Sequence, residues 1–191
     1  MRATLGAMGA AKKLTVEQWY ELDDDESSDE LVDGVLEEAE VPDRVHELVI
    51  TWLIFNLAPW VEARAGFVFA SGLRLAIRKH TGRIPDVVCY LRNRRPESGL
   101  VRSAPDIVVE IVSPRPRDAR RDRVEKIGDY AHMGAKQYWI IDPKLRTFEV
   151  WKLDKTGRYV RAVAASRGKA RAGLTLDLDA LWAHVDRLER K

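Results

Sequence analysis

A chain of 191 residues is long enough to bury a core of its own, so one domain is the default expectation. The formal net charge of +2 excludes a strongly basic surface overall, so any nucleic-acid-binding surface must be local. Cys89 is the only cysteine, which excludes an internal disulfide and indicates a reducing, cytoplasmic compartment. The histidines lack zinc-binding spacing, and Asn56 and Pro59 break the longest apolar run, so we predict neither a zinc site nor a membrane span.

The N-terminal part is predicted to begin with a disordered leader, residues 1–13, followed by a single domain over residues 14–191. No internal repeat and no long linker divides that domain. Thr15 and Gln18 have the spacing of a capping box and predict a short helix. Residues 30–37 then predict a hairpin of two short strands around an Asp-Gly turn.

The first long helix is predicted to begin after Asp43, a good N-cap residue, and to run to about Arg64. It is apolar over most of its circumference and should be largely buried. Pro59 is expected to kink or divide it. His46 and Glu47 fall in its first turn, where the simplest expectation is that they are surface residues favoured by the helix dipole.

A strand-rich section follows this helix. Residues 67–77 alternate tolerably and predict one strand, and a turn at residues 79–82 leads to a second strand over residues 83–91, antiparallel to the first. Asp86 lies on this second strand, on the same face as Val88 and Tyr90. A basic loop over residues 92–102 comes next.

A nearly continuous apolar, β-branched segment bounded by prolines lies over residues 103–114 and predicts a strand buried on both faces. Alternation places Asp106, Glu110 and Val112 together on one face. A buried ionised carboxylate is costly unless it is paired. The sequence therefore implies a partner for Glu110.

The second half of the chain starts with a helix predicted from Asp118 to Met133, with Gly134 as its C-cap. Two sets of residues follow the helical period on different sides, an apolar stripe of Val124, Ile127 and Ala131 and a polar line of Asp122, Lys126 and Tyr130. Strands are predicted over 137–143, 147–153 and 158–163, then a short strand over 174–178 and an amphipathic helix.

Asp86 and Glu110 can converge if their strands are neighbours. Two carboxylates on a rigid sheet suit Mg²⁺ or Mn²⁺, which prefer hard oxygen ligands. Such an ion polarises a phosphoryl oxygen and activates bound water. A nearby lysine would offset the charge that develops on the phosphate or hold the attacking water.

These residues carry a resemblance to a known family. Pro85-Asp86 and Glu110-Ile111-Val112, followed by a helix, look like the PD-(D/E)XK nuclease core. The run from Ala104 to Pro114, Asp122-x-x-x-Lys126, Tyr130 and Gln137-Tyr-Trp139 are closer still to the Uma-two family of restriction-endonuclease-like proteins, as are Glu30-Leu-Val-Asp-Gly34, His46, Leu174-Thr-Leu-x-Leu178 and Trp182. The likeness covers roughly residues 14–183.

The resemblance implies an α+β, restriction-endonuclease-like fold: a mixed central sheet flanked by helices, with an extra N-terminal hairpin and C-terminal strands. It makes Asp86 and Glu110 metal ligands for Mg²⁺ or Mn²⁺, with the Ile111 carbonyl as a third. Val112 stands where the general motif has lysine, and Lys126 matches the lysine that the family carries on the following helix. The supporting candidates, for orienting ligands or water, are His46, Asp106 and Glu30.

Several arginines flank the predicted site and supply the local basic surface that a phosphate backbone needs. The candidates for binding DNA are Arg115, Arg117, Arg120 and Arg121. Because cutting both strands of a duplex needs two sites, the implied activity also predicts a homodimer.

Each site residue also has an ordinary structural role open to it. Asp86 could serve a turn and Asp106 the start of a strand. Glu110 could pair with an arginine of the basic loop, and Lys126 with Asp122 one helical turn away. The aromatic residues around the site are typical of a core.

At the level of function, the leading hypothesis is a Mg²⁺-dependent DNA endonuclease that uses metal-activated water. The alternative, motivated by Val112, is a non-catalytic nucleic-acid-binding or protein-interaction module on an inactivated nuclease fold. A small-molecule phosphohydrolase would use the same ligands.

Overall fold

The computed structural model describes residues 13–22, 29–38, 42–70, 72–113 and 124–190. The predicted leader, apart from Lys13, lies outside these ranges. Within them the helices are α1 (Val16–Tyr20), α2 (Arg44–Glu62), α3 (Lys126–Met133) and α4 (Leu178–Glu189). No helix of the described residues has the length and apolar content needed to cross a membrane.

The strands are distributed over three sheets. Their bounds are β1 (Glu30–Val32), β2 (Val35–Glu37), β3 (Phe67–Ala70), β4 (Leu75–Arg78), β5 (Thr81–Arg83), β6 (Val87–Tyr90), β7 (Ile107–Ile111), β8 (Gln137–Asp142), β9 (Thr147–Leu153), β10 (Tyr159–Ala165), β11 (Lys169–Arg171) and β12 (Thr175–Asp177). The central sheet has the order β10-β9-β8-β7-β6-β3, a smaller N-terminal sheet has the order β2-β1-β5-β4, and β11 pairs with β12.

The central sheet is mixed, as predicted, because β7 pairs antiparallel with β6 and parallel with β8. Every residue of β7 is buried, which accounts for its β-branched, nearly continuous apolar sequence. Val88 lies opposite Val108 in the β6–β7 register. Two positions further along, the same register brings Asp86 opposite Glu110.

Both faces of the central sheet are covered. On one face α2 and α4 pack through an apolar cluster that includes Val49, Leu53, Leu181 and Val185. On the other face α3 and β4 pack through a second cluster that includes Tyr130, Leu75 and Ile77. This second face carries Val108 and Val112, so it is also the face of Glu110.

Several helices and turns begin or end at the capping and turn residues predicted from the sequence. Thr15 and Gln18 form the predicted capping box of α1, and the Asp43 side chain accepts hydrogen bonds from the first turn of α2. Asp33 and Gly34 take positive φ angles of 49° and 86° in the β1–β2 turn. Such a pair of left-handed residues matches the twist of a tight hairpin.

One expectation about backbone continuity is wrong, and one of the two alternatives for Pro59 is excluded. The strand predicted over residues 67–77 is divided, because β3 pairs with β6 in the central sheet whereas β4 pairs with β5 in the N-terminal sheet. Gly72, with a φ of 114°, lies where the chain passes between them. Pro59 does not divide α2, which continues to Glu62. Leu57 and Val61 on either side of Pro59 are buried, so packing holds this last turn in place.

Candidate active site

Asp86 ties the beginning of β6 to the end of β7. Its Oδ2 accepts a hydrogen bond of 2.7 Å from the backbone amide of Ile111, the residue after Glu110. The same oxygen lies 3.3 Å from Nε2 of His46, which α2 contributes from its first turn. The Asp86 side chain is 17% exposed, so it remains accessible to a ligand. The structure therefore places Asp86 and His46 side by side at the carboxyl end of β7.

Glu110 has the partners that its burial requires. Its side chain is 3% exposed, and Oε2 lies 3.1 Å from Nζ of Lys126. The hydroxyl of Tyr130 donates a 2.5 Å hydrogen bond to the other oxygen, Oε1. A nearby cation and a hydrogen-bond donor are what offset the cost of a buried carboxylate. Both come from α3 rather than from the basic loop.

The face of α3 that packs on the sheet includes the polar line. Lys126 is 4% and Tyr130 is 0% exposed, and their burial is offset by their contacts with Glu110. The predicted apolar stripe is only partly buried, because Ile127 packs against the second cluster whereas Val124, just before α3, is 60% exposed. Asp122 and the predicted helix start at Asp118 lie outside the described residues. The helix ends as predicted, with Gly134 in the left-handed conformation at the C-cap.

Glu30 approaches the same lysine from the N-terminal sheet. Its Oε1 lies 3.5 Å from Nζ of Lys126 and accepts a hydrogen bond of 3.1 Å from the Ile84 amide. Lys126 thus lies between two buried carboxylates. The N-terminal hairpin is consequently part of the site and not an appendage to it.

Sequence reasoning missed two charged residues that continue this cluster. Arg83 on β5 donates hydrogen bonds of 2.9 Å to Glu30 and 2.8 Å to Asp129. Asp129 also pairs with Arg78. One signal was available: Asp129 follows Lys126 by three positions and so shares its side of α3.

Burial and charge shift the pKa values of two residues in this cluster. Burial works against the charged form of Arg83, but the carboxylates of Glu30 and Asp129 outweigh it, so the Arg83 pKa lies above its usual range. The pKa of Tyr130 is raised well above its ordinary value, first by burial and then by the charges of Glu110 and Glu30. Tyr130 therefore stays protonated and acts as a donor toward Glu110.

Asp106 is not brought to this site. Its carboxylate pairs with Lys136 at 2.5 Å and with Arg94 at 3.0 Å, and it accepts a hydrogen bond of 2.8 Å from the Leu91 amide. These contacts connect the end of β6 to the start of β7. This placement agrees with the structural alternative for Asp106, a residue that serves the start of a strand.

A pocket of about 270 Å³ opens beside the site. His46 and Val112 are among its lining residues, and Lys144 and Arg146 from the β8–β9 turn contribute basic groups. Arg146 also pairs with Asp186 of α4. The predicted DNA-binding residues Arg115, Arg117, Arg120 and Arg121 lie outside the described residues.

The donor atoms at the site fit a hard divalent cation. No group of three or more His, Cys, Asp or Glu side chains in the described ranges forms a metal-binding cluster. The side-chain ligands predicted from the sequence are two, the carboxylates of Asp86 and Glu110. The Ile111 carbonyl, a third hard oxygen, belongs to the strand residue next to Glu110. A carboxylate has about four lone-pair positions, so Glu110 can bind a cation and keep its contacts with Lys126 and Tyr130. Such a set suits Mg²⁺ or Mn²⁺.

Comparison with known proteins gives a family and a fold. The Uma2 family model, described as "Putative restriction endonuclease", matches residues 15–185. No curated protein gives a significant match. Among solved structures, a putative nuclease belonging to DUF820 from Anabaena variabilis ATCC 29413 matches with a TM-score of 0.71 and 21% identity, over 89% of this chain and 98% of that chain. The restriction-endonuclease-like fold predicted from the sequence is therefore confirmed.

Proposed function

The chain belongs to the Uma2 family, which is described as "Putative restriction endonuclease". From this premise we propose that it is a Mg²⁺-dependent endonuclease that hydrolyses phosphodiester bonds in DNA. The observation that carries the proposal is the contact of 3.1 Å between Lys126 and Glu110 at the end of the strand pair that also holds Asp86. A lysine ammonium beside Glu110, with the Asp86 carboxylate at the same end of the strand pair, combines the charges that phosphoryl chemistry needs.

Each residue of the site has a distinct role in this proposal. Asp86 and Glu110, with the Ile111 carbonyl, would hold the cation, and when bound, Mg²⁺ would polarise the scissile phosphate and favour deprotonation of a water. Tyr130 keeps Glu110 oriented through its hydrogen bond. Lys126 supplies a fixed positive charge that offsets the charge developing on the phosphate.

His46 and the pocket beside it belong to the same proposal. The imidazole is 6% exposed and lies against Asp86 while also lining the pocket. It therefore orients the Asp86 carboxylate at the point where substrate would enter. Lys144, which lines the pocket and is exposed, is positioned to meet a phosphate of the backbone.

The experiment is a cleavage assay on supercoiled plasmid with Mg²⁺, Mn²⁺ or EDTA. The proposal expects metal-dependent nicking or linearisation that is lost in Asp86→Asn and Glu110→Gln. Glu149→Gln is a matched control, because Glu149 is a buried glutamate two strands away from β7 in the same sheet. Retention of cleavage in Glu110→Gln would assign the activity to a contaminant.

The predicted homodimer is tested separately. Accumulation of linear plasmid would support it if the protein also sediments with the mass of two chains.

A second candidate is a non-catalytic binding module on the same fold. It is favoured by one observation: both oxygens of Glu110 are already engaged, by Lys126 and by Tyr130. It predicts salt-sensitive DNA binding that does not depend on metal. Calorimetric titration with Mn²⁺ separates the two candidates, because stoichiometric binding that Asp86→Asn abolishes is expected only of the endonuclease.

A further inference from the structure

A ring of charged contacts, closed through the backbone of α3, joins Lys126 to the N-terminal sheet. Nζ of Lys126 lies 3.5 Å from Oε1 of Glu30, and Oε2 of Glu30 lies 2.9 Å from Nη1 of Arg83. Nη2 of Arg83 lies 2.8 Å from Oδ2 of Asp129. Asp129 belongs to α3, one turn after Lys126, so the ring returns to the helix on which it began.

The ring is buried and electrically balanced. The exposed fractions are 4% for Glu30, 1% for Arg83, 4% for Lys126 and 8% for Asp129. The ring contains two cations and two anions, and Glu110 and Arg78 add one further charge of each sign at Lys126 and Asp129. Apolar side chains of the same volume would usually give at least equal stability. Stability alone therefore does not explain why these residues are charged. The ring also fixes the orientation of its side chains, and this is the function that we consider.

The side chain of Arg83 is suited to fixing the orientation of its neighbours. Its guanidinium presents Nη1 to Glu30 and both Nε and Nη2 to Asp129. A planar fork of donors fixes the two carboxylates at a set distance and angle, which a lysine cannot do. One carboxylate lies beside the Lys126 ammonium and the other fixes the helix that carries it.

We propose that Arg83 and Asp129 are positioning residues that hold the Lys126 ammonium beside Glu110, so that the N-terminal sheet takes part in catalysis without touching the substrate. The inference rests on the proposed function, because it gives Lys126 its role in cleavage. Among the described residues, the Lys126 ammonium contacts the carboxylates of Glu110 at 3.1 Å and Glu30 at 3.5 Å, and a fixed Glu30 helps to hold it beside Glu110. Loosening Arg83 or Asp129 would let the ammonium drift out of reach of the phosphate.

The first test is kinetic. Asp129→Asn and Arg83→Lys are expected to lower kcat by about tenfold to a hundredfold, the scale of a small misplacement in an active site. KM for a DNA duplex and the affinity for Mn²⁺ should stay within about twofold of wild type, since neither residue contacts substrate or metal in this scheme. Glu17→Gln, which removes the exposed ion pair between Glu17 and Arg102, is the control and should change none of these.

A double-mutant cycle shows whether the effect passes through Lys126. Asp129→Asn should lower kcat in the wild-type background but change it less than twofold in Lys126→Met, because residues that act as a unit are not additive. An equal loss in both backgrounds would overturn the inference, as would a wild-type kcat in folded Asp129→Asn.

A measurement without turnover keeps the inference separate from the proposed function. Lysine labelled with ¹³C at Cε reports the mobility of each ammonium by NMR, and Lys126→Arg assigns the Lys126 signal by its loss. Asp129→Asn should shift and sharpen that signal, whereas Glu17→Gln should leave it unchanged. An unchanged Lys126 signal would refute the positioning role even in a protein that cleaves DNA. A wild type without cleavage but with the expected NMR change would refute only the function.

Discussion

The ammonium of Lys126 lies 3.1 Å from Oε2 of Glu110, although one residue belongs to α3 and the other to β7. The general nuclease motif places its lysine two residues after the glutamate, a position that Val112 occupies here. In this chain the lysine instead reaches Glu110 from a helix that packs on the same face of the sheet. The packing of α3 therefore sets the geometry at Glu110, and single-residue changes on either side can test it.

Replacing Lys126 by methionine should slow cleavage strongly and also weaken the fold. The loss of its fixed charge is expected to reduce kcat by about 10²- to 10³-fold. Glu110 and Glu30 would remain buried without this cation, which costs about 3–5 kcal/mol. Plasmid cleavage and urea unfolding measure the two effects.

The control for this prediction is Lys155→Ala, since Lys155 is exposed in the β9–β10 turn. It should leave the cleavage rate and the free energy of unfolding within error of wild type. Cleavage by Lys126→Met within about tenfold of wild type would contradict the role given to the ammonium.

The parts of the site that lie on strands were predictable from the sequence. Strand side chains alternate strictly, so the apolar residues around Glu110 determine its face, and the structure places Val108 and Val112 there with it. The partner strand was predicted over residues 83–91, and the structure confirms only its second half, because β6 spans Val87–Tyr90 whereas Arg83 belongs to β5 in the N-terminal sheet.

The helical part of the site was not predictable by hydrophobic pattern. An apolar stripe marks the buried face of a helix when the hydrophobic effect drives burial. On α3 the buried face includes charged residues, whose burial is offset by ion pairing. Val124 is consequently exposed and Lys126 buried. Arg83 and Asp129 were not predicted because they contact each other, and Arg83 also contacts Glu30, across elements far apart in the sequence. Local sequence patterns carry no information about such contacts.

Asp106→Asn should destabilise the protein without an effect on the chemistry of cleavage. Burial opposes ionisation of Asp106, but the hydrogen bonds from Lys136 and the Leu91 amide and the charge of Arg94 outweigh it, so its pKa lies below the ordinary 3.8. The stabilisation is fully present above that ordinary pKa and is lost as the pH falls through the lowered one. We expect a loss of about 1–3 kcal/mol at neutral pH.

Urea unfolding at a series of pH values checks this sign. The difference between wild type and Asp106→Asn should be constant from neutral pH down to about 4 and should shrink below it. A difference that grows toward acid would contradict the assignment. The kcat of the folded variant should equal that of wild type.

Cys89 should be inert in the native protein. Its side chain is fully buried, and burial, reinforced by the charge of Asp106, raises the pKa of the thiol to about 12. A disulfide reagent at about pH 8 should therefore titrate no thiol in the native state and one thiol in denaturant. Thr156→Cys, at the exposed β9–β10 turn, is the positive control and should react within the mixing time. Rapid labelling of native Cys89 would show that β6 opens readily.

The general motif has its lysine at the position of Val112. Moving the lysine there tests whether valine at this position prevents cleavage or is compensated by Lys126 on α3. Val112 follows β7 on the same face as Glu110 and lines the pocket of about 270 Å³, so a lysine stem there can extend along the pocket wall. Val112→Lys combined with Lys126→Met should recover cleavage by about tenfold over Lys126→Met alone, because a cation is again available near Glu110. Val112→Met in the same background has a similar stem without the charge and should recover nothing. Equal rates for the lysine and methionine variants would mean that the direction of approach from α3, and not the presence of a cation, is what the site requires.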